Sequence, residues 1–145
     1  MDIPLKFIKL EDSAFHPVIK SRQGEKELYW IIDTGASKTV FDKNLTDYYS
    51  LIDANPEEFQ SIGIGNGVIE TSLGEIKKLR IGKIKLSKLK VALIDLNHIN
   101  NIFRKYTDIT IAGLLGSDIL YIYGCQINYH TRTISFRRRP KNENK

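Results

Sequence analysis

At 145 residues, 41% hydrophobic and 27% charged, the chain is long enough to bury a core without staples and has a globular protein's make-up. It contains no apolar run near the ~20 residues that span a bilayer, no basic-then-apolar leader and a single cysteine, Cys125, so a cytoplasmic, non-membrane protein without internal disulfides is expected. The net charge of +5 raises nucleic acid as a partner, but the excess cations lie in 77–90 and 137–141 without interleaved aromatic residues, which favours solvated strand faces and a loose tail.

Ile3-Pro4-Leu5-Lys6-Phe7 alternates apolar with other residues, which predicts a half-buried strand with Pro4 at an edge or first position. Pro17 to Lys20 reads as a second strand, Gln23-Gly24-Glu25-Lys26 as a turn, and Glu27 to Ile32 as a third strand. Its apolar run, Leu28 to Ile32 with Tyr29 and Trp30 as core and wall, ends abruptly in Asp33. A carboxylate carried by a buried strand is costly unless paired, and chemistry is the usual reason to tolerate that cost. Asp42 to Tyr49 predicts a short helix with Asp42 as N-cap, and Asn55-Pro56-Glu57 a second capped turn or helix start. In Ser61 to Ile69, Gly63, Gly65 and Gly67 alternate with Ile62, Ile64 and Asn66; Asn66-Gly67 is the strongest hairpin signal in the chain.

Strands follow at Ile76–Ile81, Ile84–Leu86 and Leu89–Ile94, with Lys77, Lys78, Arg80, Lys83, Lys85, Lys88 and Lys90 on the outward face or in turns. Ile99, Ile102, Phe103 and Tyr106 keep helical spacing, predicting a short amphipathic helix or a long loop. Thr110 to Gly116 reads as a buried strand ending in glycine, and Ser117-Asp118 as the cap of a short helix, Ile119 to Tyr123, closed by Gly124. Gln126–Tyr129 and Thr133–Phe136 make a last hairpin, so residues 1–136 are expected to form one domain and 137–145 a basic disordered tail. His16, His98 and His130 fall in loops or turns without ligand spacing, and nothing beside Cys125 suggests an activating base; no metal or other cofactor is expected.

Asp33-Thr34-Gly35-Ala36-Ser37 after Ile31-Ile32, together with Gly113-Leu114-Leu115-Gly116-Ser117-Asp118-Ile119-Leu120, resembles the retropepsin-like aspartic proteases, in particular their single-domain cellular and bacterial members. The resemblance implies an all-β, closed barrel with one or two short helices, and a homodimeric endopeptidase acting on protein or peptide substrates. Hydrolysis by water needs a base and an acid, and two carboxylates about 3 Å apart cannot both ionise, which supplies both. The chain holds one Asp-Thr-Gly, so the second carboxylate is expected from Asp33 of another copy across a two-fold axis. Thr34 would hydrogen-bond across the dyad, and Gly35 would permit the sharp turn that brings backbone N–H groups to the carboxylate. Ala36 and Ser37, with Ile62, Gly63, Ile64, Gly65, Asn66 and Gly67 as a flap, would hold an extended substrate. Ser37 or Thr39 would hydrogen-bond the loop backbone, and Asp118 would serve as a helix cap. The chain departs from the retroviral pattern where Ser37, Lys38 and Ser117 replace the usual Asp and Arg ion pair. Two other readings remain open: a catalytically silent dimerisation or peptide-binding module of the same fold, and a basic nucleic-acid-binding β domain.

Overall fold

The computed structural model describes residues 1–11, 13–52 and 72–137. Its centre is built from hairpins whose turns the sequence dictates. Ala14–Gln23 (β3) folds back antiparallel on Lys26–Ile32 (β4), across a turn in which Gly24 takes a φ of +62° that a side chain would strain. Ser72–Ile81 (β7) and Ile84–Ile94 (β8) form a longer hairpin around Gly82, at φ +58°. Ile111–Leu115 (β9) lies between β4, to which it is parallel, and the short Val40–Asp42 (β5), to which it is antiparallel. β5 then pairs parallel with β8, and β7 pairs back onto β3, so the ring β3-β4-β9-β5-β8-β7 closes on itself. Closure leaves these strands no free edges. Lys6–Leu10 (β2) adds to β3, and Ser50–Ile52 (β6) to β7.

The continuous apolar run of β4 is explained by burial on both faces. Leu28, Trp30 and Ile32 point into a core with Phe41, Ile76, Leu79 and Leu115, while Ile31 points the other way, to Val40, Leu73, Phe103 and Ile111. Alternation along a strand sends neighbours to opposite faces, and here both faces are dry. Trp30 is wholly buried, packs its ring 5.4 Å from that of Phe41, and donates its indole N–H to Ser21 Oγ at 2.7 Å. The second core is closed by Asn97–Phe103 (α1), the helical alternative of the two that the Ile99–Tyr106 spacing allowed.

Three local expectations are corrected. Ile3–Phe7 is not one strand: Asp2–Pro4 (β1) pairs with Thr133–Ser135 (β11), and Leu5 donates to Arg132 O before the chain crosses into β2. Asp42 ends β5 instead of capping a helix. Its Oδ1 accepts from Asn44 N and Nδ2 and from Leu96 N, and only a single 3-10 turn, Thr46–Tyr48, follows. The break anticipated between Leu86 and Leu89 is absent, because β8 runs through with Ser87 and Lys88 both exposed. Gln126–Asn128 (β10) and β11 form the last hairpin, and with β1 on the far side of β11 they make a separate sheet that joins the two ends of the described chain. Pro4 sits on its edge strand, where a missing N–H costs nothing. Arg137 donates its backbone N–H to Tyr123 O; residues 138–145 of the expected tail, and the Asn55 and Ser61–Ile69 segments, lie outside the described residues.

Candidate active site

The loop from Asp33 to Thr39 bridges β4 and β5, the two strands that flank β9. Asp33 continues the parallel ladder by donating its N–H to Leu115 O at 2.9 Å, which fixes where its side chain leaves the barrel. Ala36 N–H closes the turn on Asp33 O at 3.2 Å, and Gly35 N–H donates to Asp33 Oδ1 at 3.0 Å. Gly35 thus meets the expectation that the turn brings a backbone donor to the carboxylate. Asp33 and Ala36 are half-buried, whereas Thr34, Gly35 and Ser37 are exposed.

Behind this loop β9 approaches more closely than any side chain would allow. A Cβ on Gly113 would lie 2.3 Å from Val40 O and 2.5 Å from the Trp30 ring, and one on Gly116 would lie 2.8 Å from Ala36 O. Of the two glycines of the Gly-Leu-Leu-Gly motif, Gly116 is required by contact with the loop and Gly113 by contact with the strands on either side of it. Ser117 N–H donates to Ala36 O at 2.7 Å, tying the second motif to the first.

Thr39 is the pin of the assembly. Wholly buried, it donates its hydroxyl to Asp118 Oδ1 at 2.7 Å and its N–H to Asp118 Oδ2 at 3.1 Å, and its Oγ1 accepts from Gly116 N–H at 3.0 Å. Asp118 is structural, as expected, but its role differs from capping. Gly116 occupies the N-cap position of Ser117–Ile122 (α2) without a side-chain cap bond, and the Asp118 carboxylate serves the loop instead. A carboxylate accepting from both the hydroxyl and the N–H of one threonine is a charge-assisted, geometrically specific clamp.

A cavity of about 410 Å³ opens beside Asp33, lined by Leu10, Ile31, Ile99, Ile102, Phe103 and Leu114 among others. Asp33 is the one carboxylate among the described residues that line it. His16, read from the sequence as a loop residue, sits on β3 in this wall with its ring 5.9 Å from that of Phe103. The α1 residues supply one side of the cavity, which the sequence reading did not anticipate. The apolar stripe Ile99-Ile102-Phe103 was the available signal. Cys125 does not line that cavity, and burial pushes its thiol up to about 12, which disfavours the thiolate. Of the remaining sequence-nominated residues, Ile62, Gly63, Ile64, Gly65, Asn66 and Gly67 lie outside the described residues. Among the described residues no group of His, Cys, Asp and Glu side chains could hold a metal ion, and no helix is long and apolar enough to cross a membrane.

Barrel, glycine-backed Asp-Thr-Gly loop and clamp together are the framework of an aspartic protease fold. The family model for aspartyl proteases matches residues 19–119, and the chain belongs to that family. Among solved structures it is similar to a retropepsin-like aspartic protease from Rickettsia conorii, at 17% identity and a TM-score of 0.45, over 91% of this chain and 89% of that one. No curated protein matches.

Proposed function

We propose that the protein is a homodimeric aspartic endopeptidase in which Asp33 of each copy contributes one carboxylate to a shared centre. The observation that carries this reading is the Asp33 turn. A half-buried carboxylate oriented by Gly35 N–H is backed by glycines that leave no room for variation, yet no second acid lines its cavity among the described residues. A single carboxylate cannot act as base and acid at once, so the exposed Thr34-Gly35 corner is where a second copy would bring its own Asp33.

In such a pair the ionised carboxylate takes a proton from water. The water oxygen attacks the peptide carbonyl carbon, and the protonated carboxyl gives its proton to the carbonyl oxygen. Collapse of the resulting diol, with a proton passed to the departing nitrogen, breaks the C–N bond. Ala36 and Ser37 would contact the extended substrate backbone, and residues 62–67 would close over it. The apolar cavity walled by Ile31, Ile99, Phe103 and Leu114 would accept a bulky aliphatic or aromatic side chain next to the scissile bond. The terminal sheet leaves one edge of β10 unpaired among the described strands, which suits pairing between copies.

Peptide-library cleavage across mildly acidic to neutral pH, with sedimentation recorded for each sample, tests the reading. Cleavage is expected from the dimer, with specific activity falling on dilution, and Asp33→Asn should reduce it by at least about a thousandfold without changing fold or dimer mass. Equal cleavage by Asp33→Asn would refute the assignment. A stable dimer without cleavage of any peptide would support the silent-module reading.

A further inference from the structure

We infer that the outer face of β8, together with the Lys38 end of the active-site loop, is a docking groove for an acidic, extended polypeptide segment. The groove encloses about 920 Å³. Lys83, Lys85, Lys88 and Lys90 line it, together with Lys38. The one acid lining it, Asp118, has its oxygens taken by Thr39 and by Ile119 N–H. Its floor is apolar, with Ile84 and Ile122 half-buried and Leu86, Ile119 and Tyr123 beneath.

The charge on this face is arranged at a cost. In the β7–β8 ladder Lys77 stands directly opposite Lys88, and Arg80 opposite Lys85. Like charges opposed across strands are destabilising. Elsewhere Glu27 holds two cations, Lys20 at 3.2 Å and Arg22 at 3.1 Å. Lys38, Lys83, Lys85 and Lys88 form no ion pair with any described residue. An anionic partner lying along the groove would offset that repulsion.

The partner is polypeptide in character. Lys88 and Lys90 are two residues apart on β8, about 7 Å, which is also the spacing of alternate side chains in an extended peptide, and Lys83 and Lys85 continue the row from the turn into the strand. Acidic side chains at alternate positions would reach the lysines, while apolar side chains between them would meet the floor. Nucleic acid fits less well, because the groove offers no exposed ring for a base to stack on. Tyr123 and Phe136 are buried against each other with ring centroids 5.9 Å apart.

The test is fluorescence anisotropy of a labelled peptide alternating Glu and Val, in the full Asp33→Asn chain so that binding is read without hydrolysis. A Gln-for-Glu peptide and a single-stranded oligonucleotide serve as comparisons. The Glu peptide should bind at least about tenfold more tightly than the Gln peptide, with affinity falling as salt rises. Lys85→Glu/Lys88→Glu should lose that binding while raising the unfolding midpoint, because both opposed pairs become complementary. Lys9→Glu/Lys105→Glu, an equal change in net charge at exposed sites elsewhere, should retain it. Equal loss in the two double variants, equal binding of Glu and Gln peptides, or stronger binding of the oligonucleotide would overturn the proposal. Should the first double variant fail to fold, amide shifts of the parent chain on adding Glu peptide decide. Perturbation of Lys38 and residues 83–90 supports the groove; perturbation elsewhere refutes it.

Discussion

Asp118 shows how one side chain can organise a loop it does not belong to. Its carboxylate receives both the hydroxyl and the N–H of buried Thr39, whose Oγ1 also receives Gly116 N–H. Asp118→Ala would leave these donors unpaired in the interior, at a cost of about 2 kcal/mol or more. Urea titration should record that loss, and peptidase activity should fall further than stability because the Asp33 loop loses its anchor. A second carboxylate sets a pH dependence. Asn97 N–H, then the Asn44 side chain, hold Asp95 below the usual carboxylate range. A depressed folded pKa stabilises the protein above the unfolded pKa of about 4, and that contribution is lost as pH falls through the lower folded value. Asp95→Ala should therefore lower the urea midpoint at neutral pH, and the difference from the parent chain should shrink in strong acid.

Among the elements, α1 is held to the barrel by a contact that mimics a strand. Buried Asn100 donates Nδ2–H to Ile111 O at 2.9 Å and accepts Ile111 N–H on Oδ1 at 2.7 Å, satisfying the first residue of β9 as a neighbouring strand would. Asn100→Ala should cost about 3 kcal/mol and speed amide exchange at Ile111, measurable by denaturation and hydrogen exchange. The sequence could not reveal this, since Asn on an apolar helical stripe looks like any polar interruption until its backbone partner is in place. The motif loops and β4 were legible because their causes are local: an apolar run, a turn glycine and a terminal carboxylate. Asp42 was not, because its side chain can cap a helix or a turn equally well, and the pairing of Val40–Asp42 with β8 decides between them. Alternation across Ile3–Phe7 likewise signals strand without revealing that Pro4 and Lys6 belong to different sheets. The lysines of 77–90 were correctly placed outward, whereas their opposition across the ladder required the register.

At the scale of the whole molecule, the terminal sheet ties the first residues to the last described ones. Met1 O accepts Phe136 N–H at 2.9 Å, and Ile3 stands opposite a wholly buried Ile134. The β3–β4 and β7–β8 hairpins close short loops, but β1–β11 must close almost the entire chain, and loop-closure entropy places such contacts late in folding. Ile134→Ala should cost about 2–4 kcal/mol, expressed chiefly as faster unfolding with the refolding rate little changed. A chain emerging from synthesis could therefore hold the Asp33 turn, anchored by Leu115 and Asp118, before the β10–β11 edge exists. If copies join through that edge, catalytic power would arise only after the last strand is in place, so the order of folding would itself delay proteolysis until each copy is complete.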